Sequence, residues 1–563
     1  MIYSLRKPAL SLLAAALTCL GTAVYAQGVT DAMLAAEAGD NWLHVNGNYA
    51  GYRYSTLGQI SDSNAKNLKV AWTSPLGATT DTQATPLYYD GLLYIPQDNK
   101  VYAISADDGS VVWKYEHKVP DDIGGVTTAL ILNRHRGVAL YGDSVYFLSS
   151  DSKLHRLDMK TGKAKWAKAF EGFTYPKDFA KAKDASGYLS SVAPMAIPGT
   201  ILVPMNGTDF GGLQGYVLGV NPETGDMMWK ANMIPAKGEV GYDSWPEGSQ
   251  TYGGAGPWIT GSYDPASKTY FTGTANAYEW NPKNRGGGKM ENLGAAGIVA
   301  VNTTNGKVNW RYTGVPGDPF DYDMPQTPML LTLDGKLTIV QPNKTGFIHY
   351  LQPSDGKFIK ATQFADKINW AKGYDANGRP IGMLPPPKEG PENQVELFPG
   401  LLGTVNMYPS AYNPKTGLVY MPATEGSMVY GMEDIKIVSN ARHFGATIEF
   451  KFQNAKQVAY NAKTGAQVWR HDEDKPGYAG GMLTTAGNLT FYATQGGEFR
   501  AVDATTGKVL YSLNTHITSK SGPMTYTHKG KQYVVQALGG LPGFGRDDAY
   551  KAVMGSAMIA FTN

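Results

Sequence analysis

The segment AVNTTNGKVNW, residues 300–310, contains the repeated unit that decides the fold of this chain. An apolar strand leads into a polar turn that ends in Gly306, and the next strand carries Trp310 four residues after that glycine. A tight hairpin turn needs a positive φ, which glycine adopts without strain. The indole of a tryptophan at this spacing offers a large, flat apolar surface for packing against a neighbouring sheet.

The same unit recurs along most of the chain. Five further copies end in an aromatic residue: AISADDGSVVW (103–113), RLDMKTGKAKW (156–166), GVNPETGDMMW (219–229), AYNAKTGAQVW (459–469) and AVDATTGKVLY (501–511). A weaker copy, LQPSDGKFIK (351–360), keeps Gly356 but has Lys360 at the aromatic position. With the early strand NLKVAW and its Trp72, these seven units make eight. The repeat predicts an all-β, eight-bladed β-propeller with tryptophan-docking repeats, in which the N-terminal strand helps to complete the last blade.

The gap between Gly356 and Gly465 is wider than the other intervals and includes the proline-rich stretch LPPPKEGP, residues 384–391. We expect one blade with a long insertion there, because long loops on a rigid ring are where a substrate rim is usually built. No other composition shift suggests a second domain, so residues 27–563 are predicted to form a single propeller domain.

The first residues predict export. Arg6 and Lys7 precede an apolar run, and Val24 and Ala26 stand at the −3 and −1 positions of a cleavage site. We interpret residues 1–26 as a signal peptide and the mature protein as periplasmic. A membrane anchor is the alternative, but the run is short for a span, and we expect no membrane-spanning segment. The only cysteine, Cys19, lies in this leader, so the mature chain is predicted to have no disulfide, no thiolate metal site and no CxxCH haem motif.

The charge balance argues against a nucleic-acid partner. Lys plus Arg total 50 against 48 acidic residues, and only 17% of residues are charged. Removing Arg6 and Lys7 leaves 48 against 48. A chain with no net charge has no polyelectrolyte signature.

Eight motifs in a fixed order add chemistry to the propeller pattern. They are GYRYSTLGQISDSNAKNLKVAW (51–72), NGTDFGGLQGYV (206–217), GGAGPWITGSYDP (253–265), FTGTANAYEWNP (271–282), GDPFDYDMP (317–325), QPNKTGFIHYL (341–351), INWAKGYDANGRPI (368–381) and NMYPSAYNPKTGLVYMP (406–422). Together they resemble the signatures of the pyrroloquinoline quinone (PQQ) dependent, or quinoprotein, alcohol dehydrogenase family. The resemblance extends from about Trp42 to Gly540, nearly the whole mature chain.

The resemblance implies PQQ beside one metal ion, Ca²⁺ or a lanthanide. No side chain can accept the two electrons of an alcohol oxidation, so the cofactor must. The metal polarises the quinone carbonyl while a carboxylate removes the hydroxyl proton. Since the chain lacks a haem motif, the expected electron acceptor is a separate protein or dye, such as a periplasmic cytochrome c. The expected substrate is a small-molecule alcohol, and the oligomeric state stays open.

Four residues match the family's metal site. By resemblance Asp321 is the general base and a metal ligand, and Asp323 is the second carboxylate that accompanies lanthanide use. In an extended strand, residues two apart point to the same side. Asn276 matches an amide ligand, and Asp209 stands where a glutamate ligand is usual. A shorter side chain at Asp209 requires the metal to shift or a water to intervene. This hard oxygen set suits calcium or a lanthanide.

Seven further residues match positions around the cofactor. Trp258 resembles the tryptophan whose indole forms the floor under the quinone, and Lys344 the cation that contacts a quinone carbonyl. The other five match polar positions on the rim: Gln83, Arg136, Ser191, Asn206 and Asn406. An equally good interpretation of each of these five is a polar loop residue whose hydrogen bonds are satisfied within the protein.

The sequence departs from the family at two places. Many relatives cover PQQ with a vicinal disulfide, but the corresponding positions here are Leu130 and Ile131. Met407 stands where a tryptophan is common, and methionine is less bulky and more flexible. These departures predict a pocket for bulky primary or secondary alcohols.

Two alternative functions differ in class. One is a dehydrogenase of the same fold that acts on a sugar, a sorbose-like polyol or an aldehyde. The other is a non-catalytic PQQ-like propeller scaffold, which has no reason to keep Asp321, Asp323, Asn276 and Trp258 together.

Overall fold

A computed structural model describes most of the chain. The described residues are 28–77, 82–119, 134–170, 190–206, 213–248, 253–434, 437–438, 441–442, 445–476, 480–539 and 555–563. The predicted leader with Cys19, the metal-ligand candidate Asp209, and Leu130 and Ile131 lie outside these residues.

The described residues form eight sheets of four or five strands, here numbered 1 to 8. Sheet 1 contains Leu87–Tyr89, Leu92–Gln97, Lys100–Ser105 and Val111–Glu116. Sheet 2 contains Ala139–Tyr141, Ser144–Leu148, Leu154–Asp158 and Ala164–Lys168. Sheet 3 contains Met195–Ile197, Thr200–Met205, Tyr216–Val220 and Met227–Asn232. Sheet 4 contains Ser262–Asp264, Thr269–Gly273, Gly297–Asn302 and Val308–Thr313.

The remaining sheets complete the β-propeller that the repeat predicts. Sheet 5 contains Met329–Leu333, Lys336–Pro342, Phe347–Leu351 and Phe358–Gln363. Sheet 6 contains Val395–Leu397, Ala411–Asn413, Leu418–Met432, Ala446–Asn461 and Gln467–Pro476. Sheet 7 contains Tyr54–Ser55, Leu483–Thr485, Leu489–Ala493, Glu498–Asp503 and Val509–Asn514. Sheet 8 contains Lys69–Gly77, Met524–His528, Lys531–Leu538 and Ser556–Thr562.

Only short elements accompany the sheets in the part of the chain that is described. Asp31–Ala35 is a single-turn α-helix capped by the Thr30 hydroxyl, which accepts from Met33 N at 3.3 Å. Ile437–Val438 and Ala441–Arg442 form a small ribbon. Short 3₁₀ turns lie at Ala65–Asn67, Tyr242–Ser244, Pro282–Arg285 and Pro391–Asn393. Among the described residues no helix is long and apolar enough to cross a membrane.

Two early segments of the chain complete sheets formed by its end. Lys69–Gly77, which carries Trp72, pairs antiparallel with the C-terminal strand Ser556–Thr562. Tyr54–Ser55 pairs in parallel with Leu483–Thr485. The N-terminal strand therefore completes sheet 8, as the sequence predicts.

The docking tryptophans join consecutive sheets. The indole N–H of each donates to a carbonyl oxygen in the turn of the next repeat: Trp72 to Ala106, Trp113 to Met159, Trp166 to Glu223, Trp229 to Thr303, Trp310 to Pro353 and Trp469 to Ala504, all at 2.9–3.1 Å. In the weaker repeat the Lys360 ammonium takes this role and donates to the Lys463 carbonyl at 2.6 Å. A cation on a flexible stem thus replaces the polar contact but not the flat packing surface.

The turn glycines are part of the same contact. Gly306 has φ +73°, and a Cβ atom there would lie 2.8 Å from Trp229 Cε3. Gly335 has φ +74° with no atom within 4 Å of such a Cβ. Both turns need glycine for the backbone, but only Gly306 also needs it for space.

We expect Gly306→Ala to lower the free energy of unfolding by about 2–4 kcal/mol, the sum of left-handed strain and overpacking against Trp229. Gly335→Ala is the matched control and is expected to lose about 1–2 kcal/mol from strain alone. Denaturant unfolding of both variants measures the difference. Equal losses would show that close tryptophan docking does not restrict the turn.

Candidate functional site

The predicted site residues lie on loops at one end of the strands. Asn206, Asn276 and Lys344 each follow the second strand of a sheet, whereas Trp258 and Asp321 lie between one sheet and the next. In an antiparallel sheet of consecutive strands, the second strand ends on the same side of the sheet on which the first strand begins. Residues far apart in sequence are therefore brought to one face of the ring.

Both predicted carboxylates contact one buried cation. Lys344 Nζ lies 3.2 Å from Asp321 Oδ2 and 2.9 Å from Asp323 Oδ2. All three side chains are at least nine-tenths buried. Burial lowers the pKa of Lys344, but the charges of the two aspartates outweigh it, and the net pKa lies above the ordinary value. The ammonium is thus protonated at neutral pH.

The reason that the two carboxylates converge differs from the predicted one. Residues 314–328 contain no strand, and Asp321 has φ +61°, so the extended alternation assumed from the sequence is wrong. The Asp318 carboxylate accepts from Phe320 N at 2.8 Å and from Tyr322 N at 2.7 Å, one residue on each side of Asp321. This turn holds Asp321 in a left-handed conformation, which aspartate tolerates better than most residues.

Asp323 is held by three donors. It accepts from Asn276 N at 2.6 Å, from Trp258 Nε1 at 3.1 Å and from Lys344 Nζ at 2.9 Å. The Asn276 side-chain nitrogen donates to Ala277 O at 2.9 Å. Its Oδ1 is buried and has no hydrogen-bond partner among the described residues. A buried, unpartnered amide oxygen on the residue whose backbone N–H binds Asp323 fits a hard metal ion as its missing partner.

Trp258 reaches this group because its loop packs along the segment of Asn276. Ala255 N donates to Asn276 O and Ala275 N donates to Gly256 O, both at 3.0 Å. At Gly254, with φ +82°, a Cβ atom would lie 2.8 Å from Asn276 O. The glycines of GGAGPW therefore permit the close approach that aims Trp258 at Asp323.

A second polar group meets Trp258 from the side of sheets 2 and 3. Arg136 Cζ lies 5.0 Å from the centroid of the Trp258 ring, a cation–π distance. Arg136 Nη1 also donates to the Ser191 hydroxyl. Asn206 Nδ2 donates to the same hydroxyl at 3.3 Å, and its Oδ1 accepts from Ser191 N at 3.3 Å. The structure thus brings Arg136, Ser191 and Asn206 together at the indole.

Gln83 and Asn406 differ in how their amides are used. Gln83 is 7% exposed, and neither of its side-chain polar atoms has a hydrogen-bond partner among the described residues. Asn406 is occupied locally, since its amide donates to Leu402 O and accepts from Met407 N, both at 2.8 Å. Gln83 is therefore better suited to hold an added polar ligand than Asn406.

Sequence reasoning missed two supporting residues. Asp318, which lies within the quoted GDPFDYDMP motif, forms the turn at Asp321, and burial raises its pKa to about 6. Arg285 is fully buried and donates to Glu279 O, Trp280 O and Asp318 O. It thus links the segment after Asn276 to the segment before Asp321. No spacing rule marks Arg285, because its bond to Asp318 O joins residues 33 apart in sequence and its other two acceptors are ordinary backbone carbonyls.

The sequence matches the family described as "PQQ: Glucose/ethanol/alcohol dehydrogenase, beta-propeller domain" over residues 42–364 and 473–534. It is 33% identical to quinoprotein alcohol dehydrogenase PedH of Pseudomonas putida, covering 86% of this chain and 83% of that protein. It is 30% identical to quinoprotein ethanol dehydrogenase of Pseudomonas aeruginosa, covering 86% and 84%.

Solved structures give a consistent result. The fold is similar to quinohemoprotein alcohol dehydrogenase from Comamonas testosteroni, with a TM-score of 0.86 and 28% identity over 95% of this chain and 82% of that one. It is also similar to a europium-containing methanol dehydrogenase, with a TM-score of 0.83 and 27% identity over 95% and 100%.

Proposed function

Because this chain belongs to the PQQ-dependent quinoprotein alcohol dehydrogenase family, we propose that it oxidises bulky primary or secondary alcohols in the periplasm and passes the electrons to a separate acceptor. The observation that carries this proposal is the convergence of Asp321 and Asp323 on Lys344. Trp258 and the backbone N–H of Asn276, whose buried Oδ1 has no partner among the described residues, both bind Asp323. This donor set consists of oxygens only, which suits Ca²⁺ or a lanthanide.

Asp321 and Asp323 would divide the chemistry between them. When bound, PQQ supplies the two-electron sink and the metal ion polarises its carbonyl. We assign removal of the hydroxyl proton to Asp321. Asp323 accepts from three donors that hold its orientation, which suits a ligand better than a mobile base. Asp209, outside the described residues, is the fourth proposed ligand.

The remaining residues would bind and orient the cofactor. Trp258 offers an aromatic face, and Arg136, Ser191 and Asn206 offer hydrogen-bond donors beside it. The Lys344 ammonium donates to Asp321 O at 3.1 Å and to one carboxylate oxygen of each aspartate, so a quinone carbonyl at this place would replace one of these three acceptors. Gln83, whose buried amide has no partner among the described residues, would contribute a further contact.

Two sequence features support the proposed compartment and the proposed external electron acceptor. The predicted signal peptide, residues 1–26, directs the chain to the periplasm. With Cys19 as its only cysteine, the chain has no haem attachment motif, so the electrons leave to an external acceptor, such as a cytochrome c.

Reconstitution tests this function. We expect apo-protein loaded with PQQ and either Ca²⁺ or La³⁺ to reduce a redox dye with alcohols as electron donors. The substrate series runs from methanol and ethanol to secondary alcohols, polyols, sugars and aldehydes. Turnover of only sugars, polyols or aldehydes would replace the alcohol assignment by the alternative dehydrogenase. Binding of PQQ without turnover of any of these substrates would overturn the enzymatic proposal.

Asp323 provides a test of the metal. We expect Asp323→Ala to weaken activation by La³⁺ at least about tenfold more than activation by Ca²⁺, because loss of one anionic ligand matters more to a trivalent ion. The concentration of each ion that gives half-maximal dye reduction measures the effect. An exposed turn acid, Asp355, provides the control substitution Asp355→Ala. Equal weakening for both ions would remove Asp323 from the role of discriminating ligand.

A further inference from the structure

A second group of potential metal ligands, which shares no residue with the candidate site, lies between sheets 1 and 2. His117 follows the last strand of sheet 1, and Asp151 and His155 flank the start of the third strand of sheet 2. One ligand atom from each of these three residues lies within 4.8 Å of the other two. His117 Nε2 is 3.0 Å from both carboxylate oxygens of Asp151. The two imidazole centroids are 4.6 Å apart.

Tyr115 sets the orientation of His155. Its hydroxyl lies 3.1 Å from His155 Nδ1, while Ser149 Oγ lies 3.0 Å from His155 Nε2 and donates to Asp151. Because Ser149 donates its single proton to Asp151, His155 Nε2–H donates to Ser149 and Nδ1 accepts from Tyr115 when no metal is bound. A tyrosine hydroxyl can also accept, so the other tautomer, with Nδ1–H donating to Tyr115, would turn the Nε2 lone pair toward a metal. Metal-bound histidines usually have such a partner on the other ring nitrogen.

We propose that His117, Asp151 and His155 bind one divalent transition-metal ion of the Zn²⁺ class. Two imidazole nitrogens and one carboxylate favour Zn²⁺ or Co²⁺ over Ca²⁺ and lanthanides, which prefer oxygen. The site is thus distinct in chemistry from the all-oxygen group at Asp321 and Asp323. Three protein ligands leave at least one position for water.

Lys153 is the competitor of the ion. Its Nζ lies 2.9 Å from Asp151 Oδ2, and 36% of its side chain is exposed. An ammonium at this place balances the buried carboxylate when no metal is bound, and its exposed end can move into solvent when one is. Removing Lys153 should therefore strengthen metal binding.

The test uses the full mature protein loaded with PQQ and Ca²⁺, so that the all-oxygen site is occupied. Calorimetric titration with Zn²⁺ should give one equivalent bound, and Co²⁺ should give visible absorption bands typical of nitrogen and oxygen ligands. We expect His117→Ala and His155→Ala each to weaken Zn²⁺ binding at least about 100-fold, and Lys153→Met to strengthen it about tenfold.

Matched controls exist in the same chain. His528 has the same kind of partners, Asp107 at 2.8 Å and Tyr88 at 3.0 Å, but belongs to no group of three metal-binding side chains among the described residues. His528→Ala should leave Zn²⁺ binding unchanged. Lys168, 38% exposed and paired with Asp226 at 2.6 Å, is the control for Lys153.

Three outcomes would overturn the proposal: no stoichiometric Zn²⁺ binding by the wild type, equal affinities in His117→Ala and His528→Ala, or weaker binding in Lys153→Met. Thermal melts verify that each variant is folded, and His117, near the surface, serves if His155→Ala does not fold. Because Zn²⁺ binding is measured directly, the result does not depend on alcohol turnover.

Discussion

Asp321→Asn is expected to lower kcat by about 10²–10⁴-fold while PQQ stays bound, because the amide cannot take the proton of the substrate hydroxyl. Asparagine is a better test than alanine because it removes the base without straining the backbone. Asp321 has φ +61°, and asparagine tolerates that conformation, whereas alanine adds strain. Steady-state dye reduction gives kcat, and the absorbance of bound PQQ gives occupancy.

A variant of the neighbouring turn separates base chemistry from structure. Asp318→Asn replaces one of the two accepting oxygens of this turn by an NH2 donor, so it weakens the turn beside Asp321 without removing the proposed base. Its loss of kcat should be smaller than that of Asp321→Asn. Near-normal kcat in Asp321→Asn with full PQQ occupancy would refute the assignment of the base.

Met407→Trp is expected to reverse the order of preferred substrates. For the wild type we expect kcat/KM to rise from methanol to bulky primary or secondary alcohols. Each methylene buried in the pocket contributes about 0.8 kcal/mol, roughly a fourfold gain. Methanol fills such a pocket poorly, so its carbon is positioned loosely. A bulky indole at this position should exclude the larger alcohols and leave methanol the better substrate.

Met407 is half-buried and lines a cavity of about 20 Å³ together with Ile259, the neighbour of Trp258, and Gln326 and Tyr408. This space holds about one water molecule, so a bulky alcohol requires the flexible methionine side chain to move aside. Met407→Leu, which conserves volume, is the control and should keep the wild-type order. A wild type that prefers methanol, or an unchanged order in Met407→Trp, would make the open-pocket interpretation wrong.

The sequence by itself determined the architecture of the ring. Most repeats contain a turn glycine and, four residues later, the aromatic residue that packs against the neighbouring sheet. The contact that joins neighbouring sheets is therefore visible in the sequence as a constant spacing. The pairing of Lys69–Gly77 with the C-terminal strand followed from the same count, because NLKVAW has a docking tryptophan but no preceding strands of its own. A sequence repeat is enough to predict a contact when each sheet packs against the sheet formed by the next repeat.

The geometry of the candidate site was decided only by the tertiary structure. The sequence placed Asp321 and Asp323 two residues apart, but their convergence on Lys344 depends on the left-handed turn held by Asp318 rather than on strand alternation. Resemblance nominated Arg136 and Trp258 separately, and only the meeting of their loops stacks one on the other.

The group of His117, Asp151 and His155 shows most clearly that the sequence does not reveal which distant residues meet. His117, Asp151 and His155 belong to two sheets and to no spaced motif, so no pattern in the chain associates them. Their proximity follows from the docking of sheet 1 on sheet 2, through Trp113 and the Met159 carbonyl. Contacts within a repeat are local and readable from sequence, whereas a site between sheets depends on how the ring brings distant loop ends together.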